Sequence, residues 1–238
     1  MSSSKPQKVA IVTGASQGIG AGLVQAFRAA GYAVVGTALS MPPSNESDYA
    51  TVAGDIIESS TSERVVGEAV ERFGRIDTLI NNAGIYIGKP FTDHSVEDYN
   101  AITAVNLGGF FHITQRAIRQ MVEQGAGHVV NISTSLVDHA DSSRPCALTA
   151  LTKGGLAAVA GSLAIEYASR GVRVNAVSLG VIKTPTHDED SYAGMAALHP
   201  LGRLGEVSDV VDGILYLERA TFVTGEILHI DGGQSAGR

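Results

Sequence analysis

Two residue types that organise many proteins are nearly missing from this chain of 238 residues: it has one cysteine, Cys146, and no tryptophan. A lone cysteine excludes an internal disulfide and fits a reducing compartment, so a cytoplasmic location is expected. Such a thiol is more often a small packed hydrophobe than a nucleophile. Positive charge is also in deficit, with 17 Lys and Arg against 24 Asp and Glu and a net charge of -7. That leaves no basic footprint for nucleic acid, which is excluded as a partner. No uninterrupted apolar run reaches the roughly 18 residues of a membrane span. The polar start Met1–Gln7 runs directly into a strand and does not read as a signal peptide. No His or Cys cluster has metal-ligand spacing, so no metal is expected. Repeats, low-complexity tracts and convincing linkers are absent, and residues 40–46 read as a loop too short to divide domains.

What remains is an ordinary globular composition, 44% hydrophobic and 17% charged. It suits one domain over 1–238, with its core at about 6–236. Strand-like runs lie near 8–13, 32–38, 50–54, 76–81, 127–132, 172–178 and 226–231; helical runs lie near 18–31, 61–74, 96–124, 148–170 and 206–219. This alternation predicts an α/β fold, a Rossmann-like doubly wound seven-stranded parallel sheet with helices on both faces. Such sheets bind ligands at the carboxyl ends of their strands, so chemistry is expected in the loops after strands one, four, five and six. On the helix at 96–124, Val96, Tyr99, Ile102, Asn106, Phe110, Ile113, Ala117 and Met121 fall on one face, with Asn106 as the polar intruder.

The stretch Thr13-Gly14-Ala15-Ser16-Gln17-Gly18-Ile19-Gly20 joins the first strand to the first helix. Its glycines allow a tight turn and a close backbone approach, while the first helical N–H groups and the helix dipole favour an anion such as a phosphate.

Further motifs follow in order: Asn81-Asn82-Ala83-Gly84, then Asn131-Ile132-Ser133-Thr134-Ser135, then Val223-Thr224-Gly225-Glu226 and His229-Ile230-Asp231-Gly232-Gly233. Together with the first turn they resemble the short-chain dehydrogenase/reductase family, especially its 3-oxoacyl-carrier-protein-reductase-like members. The resemblance implies that Gly14, Ser16, Gln17, Gly18, Ile19 and Gly20 hold a dinucleotide's pyrophosphate and adenosine ribose. It implies that Asp55 and Ile56 bracket adenine, and that Asn82, Ala83 and Gly84 line the ribose. It also sets Gly180, Ile182 and Thr184 beside the nicotinamide, although the proline that usually precedes the glycine is Leu179 here. The second strand ends without a carboxylate, which removes repulsion toward a 2′-phosphate; Thr37 or Ser40 could donate to one. NADP(H) is therefore preferred over NAD(H), although Gln17 stands where NADP-selective relatives often carry arginine and no other arginine accompanies it.

Catalysis is where the chain departs from the family. Asn106 matches the asparagine of the catalytic tetrad, and Lys153 matches its lysine, which binds the nicotinamide ribose. Four residues before Lys153, where the family has its proton-donating tyrosine, stands Thr149. An aliphatic hydroxyl has no useful ionisation near neutral pH and cannot inherit that role. The tetrad serine is matched by Thr134, with Ser135 beside it. The loop from Ser135 to Cys146 is longer than usual, and Asp138, His139, Tyr86 and Tyr192 are candidate replacement donors. The resemblance thus implies an oxidoreductase moving hydride between NAD(P)(H) and a small carbonyl or alcohol with an atypical proton donor. The alternative is a catalytically inactive cofactor-binding protein, a redox sensor or structural subunit. The loop 183–200, with His187, Asp188, Glu189, Asp190 and Tyr192, is where the family covers its substrate, and its acidity argues against a strongly anionic ligand. Residues 123–127 lack the basic side chains expected for an acyl-carrier-protein partner. A homotetramer built through the helices at 96–124 and 148–170 and the last strand is expected, with a dimer as runner-up.

Overall fold

A computed structural model of the chain describes residues 6–44, 46–185 and 189–237. Its centre is a seven-stranded parallel sheet made of β1 (Val9–Thr13), β2 (Ala33–Ala38), β3 (Tyr49–Ala53), β4 (Thr78–Asn81), β5 (Gly127–Thr134), β6 (Val172–Leu179) and β7 (Ile227–Ile230). The strand order is β3-β2-β1-β4-β5-β6-β7, so direction of winding reverses between β1 and β4. A crevice opens at that reversal, above the carboxyl ends of the strands.

Helices cover both faces, as the alternation of apolar side chains along each strand requires. α1 (Gly18–Ala29) and α7 (Val207–Arg219) pack on one face, where Leu23, Phe27, Ile214 and Leu217 meet Val12, Val34, Ile80 and Val177. α2 (Ser59–Phe73), α4 (Phe110–Gln124) and α5 (Ala147–Tyr167) cover the other, where Val65, Ile113, Met121 and Ala160 meet Ile11, Val35, Leu79 and Val129. Among the described residues, one helix, Ala147–Arg170, is long and apolar enough to cross a membrane. Its inner side, Leu156, Ala160 and Ala164, is buried in this core, whereas Leu151 and Ile165 stay 62% and 81% exposed.

Two helical expectations need correction. The helix at 96–124 is interrupted: α3 (Val96–Thr103) passes into a π-helical turn, Ala104–Gly109, before α4 begins. Extra residues in a π turn rotate the phase of the apolar stripe. Ile102, Asn106, Ile113, Ala117 and Met121 are therefore buried, while Val96 and Tyr99 face solvent. The helix at 148–170 ends at Tyr167 in a single 3-10 turn, and a short α6 (Tyr192–Ala196) lies in the loop after β6, where no element was expected.

The amino-terminal edge of the sheet carries a buried polar network. The Glu218 carboxylate accepts from Tyr32 Oη at 2.8 Å, Thr78 Oγ1 at 3.0 Å and His128 Nδ1 at 2.8 Å. Asn175 Nδ2 donates to His128 Nε2 at 3.0 Å, and its amide orientation is fixed because its Oδ1 accepts from Glu226 N. His128 is therefore neutral with its proton on Nδ1. Burial holds its pKa below the ordinary histidine value. Burial alone would raise Glu218, but the bonds from His128, Tyr32 and Thr78 leave it below the usual carboxylate range.

Candidate active site

At the winding reversal, β1 runs through Gly14 and Gly18, both at positive φ, into the first turn of α1. A Cβ on Gly20 would fall 2.0 Å from the Gly14 carbonyl oxygen, so only glycine lets the turn close on the helix. Gln17 occupies the N-cap without capping through its side chain, and the first turn holds no acidic residue. The opening amides of α1 are thus free to meet an anion. Asn82 braces the turn from β4: its Nδ2 donates to the carbonyl oxygens of Thr13 at 2.8 Å and Gly14 at 3.2 Å. Thr13 Oγ1 accepts in return from the amides of Asn82 and Ala83.

A cleft of about 570 Å³ extends from this turn. Gly14, Ser16, Gln17, Gly18, Ile19, Thr37, Ser40, Asp55, Ile56, Asn82, Ala83, Gly84 and Thr184 all line it. Its volume suits a cofactor-sized ligand. Thr37 contributes less than the sequence suggests, because it is buried and its hydroxyl donates to Val52 O at 2.8 Å. Ser40 is exposed. Gly180 and Ile182 line a separate cavity of about 310 Å³ with His199, His229 and Asp231. Gly180 is packed so closely that a Cβ would meet His199 Nε2 at 2.6 Å. The adenosine end also has a cation that sequence reading missed. Arg64 Nη2, from α2, donates to Ala53 O at 3.0 Å, and a Cβ on Gly54 would come within 2.5 Å of it. Gly54 in turn donates to Ala38 O, so this guanidinium borders the carboxyl ends of β2 and β3.

Asn106 and Lys153 stand behind Gly84, which lines the other end of the cleft. The π turn aims the buried Asn106 side chain at the segment after β4: Oδ1 accepts from Ile85 N at 2.8 Å and Nδ2 donates to Ile85 O at 3.1 Å. Nδ2 also reaches Thr152 Oγ1 at 3.0 Å. The partly buried Lys153 Nζ donates to Ile132 O at 2.9 Å. A Cβ on Gly84 would lie 2.8 Å from that ammonium and 3.1 Å from Asn106 Oδ1, so glycine lets both groups pack against the cleft wall. Burial alone brings the Lys153 pKa down to about 8, and no charged neighbour opposes it.

The chain as a whole resembles known proteins. The profile of a family described as enoyl-(acyl carrier protein) reductase matches residues 14–235. The 3-oxoacyl-[acyl-carrier-protein] reductase FabG of Escherichia coli is 33% identical over 237 residues, spanning 95% of this chain and 96% of the relative. The chain belongs to the short-chain dehydrogenase/reductase family. Glucose 1-dehydrogenase of Gluconobacter oxydans is 32% identical over 244 residues, spanning 95% of this chain and 91% of that protein. The solved structure of ElxO with NADP bound superposes with a TM-score of 0.90 at 28% identity, covering 97% of this chain and all of the other. A tyrosine-to-phenylalanine variant of ElxO with NADPH bound superposes equally well.

Within this short-chain dehydrogenase/reductase, the hydroxyls near Lys153 are mostly engaged. Buried Thr149 Oγ1 accepts from Ile87 N at 3.2 Å and donates to Ile87 O at 3.4 Å. Ser135 is buried and donates to Gln234 Oε1 at 2.8 Å, toward the C-terminal turn. Thr134 is partly exposed at the end of β5, where its Oγ1 caps a short turn by accepting from Leu136 N. Asp138 is turned toward β6 and β7: its Oδ2 accepts from Ser178 Oγ at 3.0 Å and pairs with His229 Nε2 at 3.2 Å. Tyr86 is exposed, with its phenol pushed up by burial of the ring and by Cys146. The Lys183 ammonium lies over the Tyr192 ring. His139 is partly exposed on the same loop as Asp138. His187 and Asp188 lie outside the described residues. Ile87, Gln234 and the π turn had no local signal, since each acts through contacts across the fold; Gly108 and Gly109 inside a helical run were the nearest hint.

Proposed function

We propose that this protein is an NAD(P)(H)-dependent oxidoreductase, with NADP(H) preferred, that acts on a small carbonyl or alcohol and uses an atypical proton donor. The observation that carries the reading is the cleft itself, with unshared helix amides at one end and, at the other, Gly84 with the Lys153 ammonium close behind it. The α1 amides, Gly14 and Gly18 fit a diphosphate, Asp55 and Ile56 fit the adenine, and Lys153 beside Gly84 fits the hydroxyls of the second ribose. When bound, the nicotinamide supplies or accepts the hydride. Thr134, the accessible hydroxyl at the end of β5, orients the substrate oxygen, and Asn106 fixes the Ile85 segment against the lysine. NADP(H) is favoured because β2 ends without a carboxylate and Arg64 stands beside β3.

The family resemblance puts a tyrosine where Thr149 stands. General acid-base help of the kind lost there is worth about 10²–10⁴-fold, so slow turnover is expected rather than none. Titration with NADPH and NADH, followed by a carbonyl panel on wild type, Lys153→Ala and Thr149→Tyr, tests the reading. Wild-type turnover that Lys153→Ala lowers supports it. The second reading, a cofactor-binding protein without turnover, is favoured by the engagement of Thr149 with Ile87. It is the correct one if NADPH binds and Thr149→Tyr alone reduces any carbonyl.

The same proposal extends to assembly and setting. Leu151 and Ile165 on α5, Phe111 on α4, and Tyr216 and Phe222 are exposed large apolar side chains that an assembly can cover. A homotetramer is expected, with a dimer as the alternative; light scattering separates the two. A soluble cytoplasmic protein with a small substrate, and without acyl-carrier-protein, membrane or nucleic-acid partners, fits the single thiol, the net charge of -7 and the segment 123–127.

A further inference from the structure

We propose that His128, Asn175 and the turn Val223–Glu226 form an acid-sensitive latch, in which proton uptake by the imidazole releases the amino-terminal end of β7 from β6. The latch lies at the edge of the sheet opposite the cleft and does not depend on the oxidoreductase reading. His128 stands on β5 between Thr78 of β4 and Arg173 of β6. Asn175 lies two residues along β6 from Arg173, on the same face of the sheet. Its amide has two tasks at once. Nδ2 donates to His128 Nε2 at 3.0 Å and to Val223 O at 3.2 Å, while Oδ1 accepts from Glu226 N at 3.0 Å. Glu226 immediately precedes β7, the edge strand beside β6. One side chain thus ties the protonation state of Nε2 to the seating of β7.

A second proton on the imidazole would sit on Nε2 and face the Asn175 NH2 group, and two donors cannot share that bond. Turning the amide over would give the new N–H an acceptor, but it would set Nδ2 against the Glu226 N–H and Oδ1 against Val223 O. Swinging the side chain away abandons Glu226 altogether. By either route the Glu226 amide loses its acceptor. The remaining groups around the ring set the balance. Burial keeps the closed form neutral; Glu218 of α7, facing Nδ1, favours the charged ring, whereas Arg173 of β6 and Lys8, ahead of β1, oppose it. Tyr32 and Thr78 spend their hydroxyls on the Glu218 carboxylate, and the Asp77 carboxylate accepts from Arg75 and Val9 N. Once Asn175 has moved, Nε2 takes a proton from water and the imidazolium keeps its bond to Glu218. A proton bound only in the open form favours that form by up to about tenfold for each pH unit below the histidine value of about 6.5. Arg173 Nη1 still holds Val223 O and Gly225 N still donates to Val174 O, so the turn stays attached while β7 loosens. At its far end β7 accepts from Gly180 N through Ile230 O at 3.1 Å, so the strand joins the latch to the loop after β6.

Amide hydrogen exchange of the full chain, read by mass spectrometry and corrected for the intrinsic effect of pH, tests the latch. In wild type, protection of residues 226–230 should fall roughly tenfold or more from about pH 7.5 to about pH 5. Low concentrations of urea should leave that fall unchanged, because a local opening exposes little surface. His128→Gln keeps a donor for Glu218 and an acceptor for Asn175 but does not titrate, so its protection at 226–230 should stay level with pH. Asn175→Ala cuts the connection and should leave 226–230 poorly protected at neutral pH and no worse in acid. The proposal is overturned if wild-type protection at 226–230 does not change with pH, or if His128→Gln loses it as wild type does. It is also overturned if the loss matches that of β1 and β4 in size and in its response to urea, which marks unfolding of the whole chain. Should the variants misfold, the wild-type contrast between 226–230 and β1 and β4 decides the matter.

Discussion

Replacing Glu218 with Gln probes how the sheet is held at the edge opposite the cleft. The wild-type carboxylate accepts from three buried donors, on Tyr32, Thr78 and His128. A Gln side chain keeps the shape but offers one acceptor oxygen and adds two N–H donors. At least one of the three partners then faces an N–H group, and with Asn175 already donating to His128 Nε2 the imidazole cannot simply reverse its tautomer. Hydrogen bonds to a charged group contribute about 1.5–3 kcal/mol each, and a buried donor left without an acceptor costs about 1–3 kcal/mol. A loss of about 3 kcal/mol is expected, which for a chain of this size lowers Tm by roughly 6–12 °C. Thermal unfolding by circular dichroism at neutral pH measures it, with NADPH affinity as a companion readout that should stay near wild type because the network lies at the other edge of the sheet. A fall in Tm below about 2 °C, equivalent to less than 1 kcal/mol, would refute the claim that this network supports the fold.

Stability should also depend on pH through the same groups. Native His128 is held neutral, so below the ordinary histidine pKa of about 6.5 the unfolded chain binds a proton that the native chain does not, and stability declines as pH falls. Glu218, depressed in the fold, contributes stability above the ordinary glutamate value of about 4.3 and loses it as pH falls below that. Urea titrations from pH 7 to about pH 2 check both windows; His128→Asn should flatten the upper one. Gly84→Ala puts a methyl 2.8 Å from the Lys153 ammonium, a flexible tip that can retreat. Its cost to stability should be small, about 1 kcal/mol, while NADPH affinity measured by fluorescence falls about tenfold as the lysine leaves its place. Arg64→Gln should weaken NADPH by about tenfold and leave NADH nearly unchanged. Equal losses for both would remove Arg64 from cofactor selection.

Much of this architecture was legible because it is written in short-range pattern. Val9–Val12, Val34–Val35 and Val129–Ile132 alternate between two apolar faces or run continuously, and the seven strands follow from them. The glycine turn is local too, and Thr13, Gly14, Ser16, Gln17, Gly18 and Ile19 line the cleft, whereas Gly20 packs under the turn against Gly14 O. What the chain concealed lies in contacts between distant segments. Thr37 looks like a free hydroxyl until β3 brings Val52 O within reach. Ser135, beside the tetrad-serine position, looks like a free hydroxyl until Gln234 claims it, and Thr149, unable to act as the acid in any case, is bonded to Ile87. Asn106 was correctly marked as a polar intruder, but its helix was read as continuous because the π turn adds length without breaking the apolar run. Arg64 carried no motif and became visible only when α2 was folded against Gly54.

The central claim is that a pyridine dinucleotide lies along this cleft, from the α1 amides to Lys153. Isothermal titration calorimetry of the full chain with NADPH and NADH, at ligand concentrations up to the millimolar range, tests it most directly. Saturable heat for one dinucleotide per chain, stronger for NADPH and diminished in Lys153→Ala, is the predicted result. No heat of binding from either coenzyme would contradict the account.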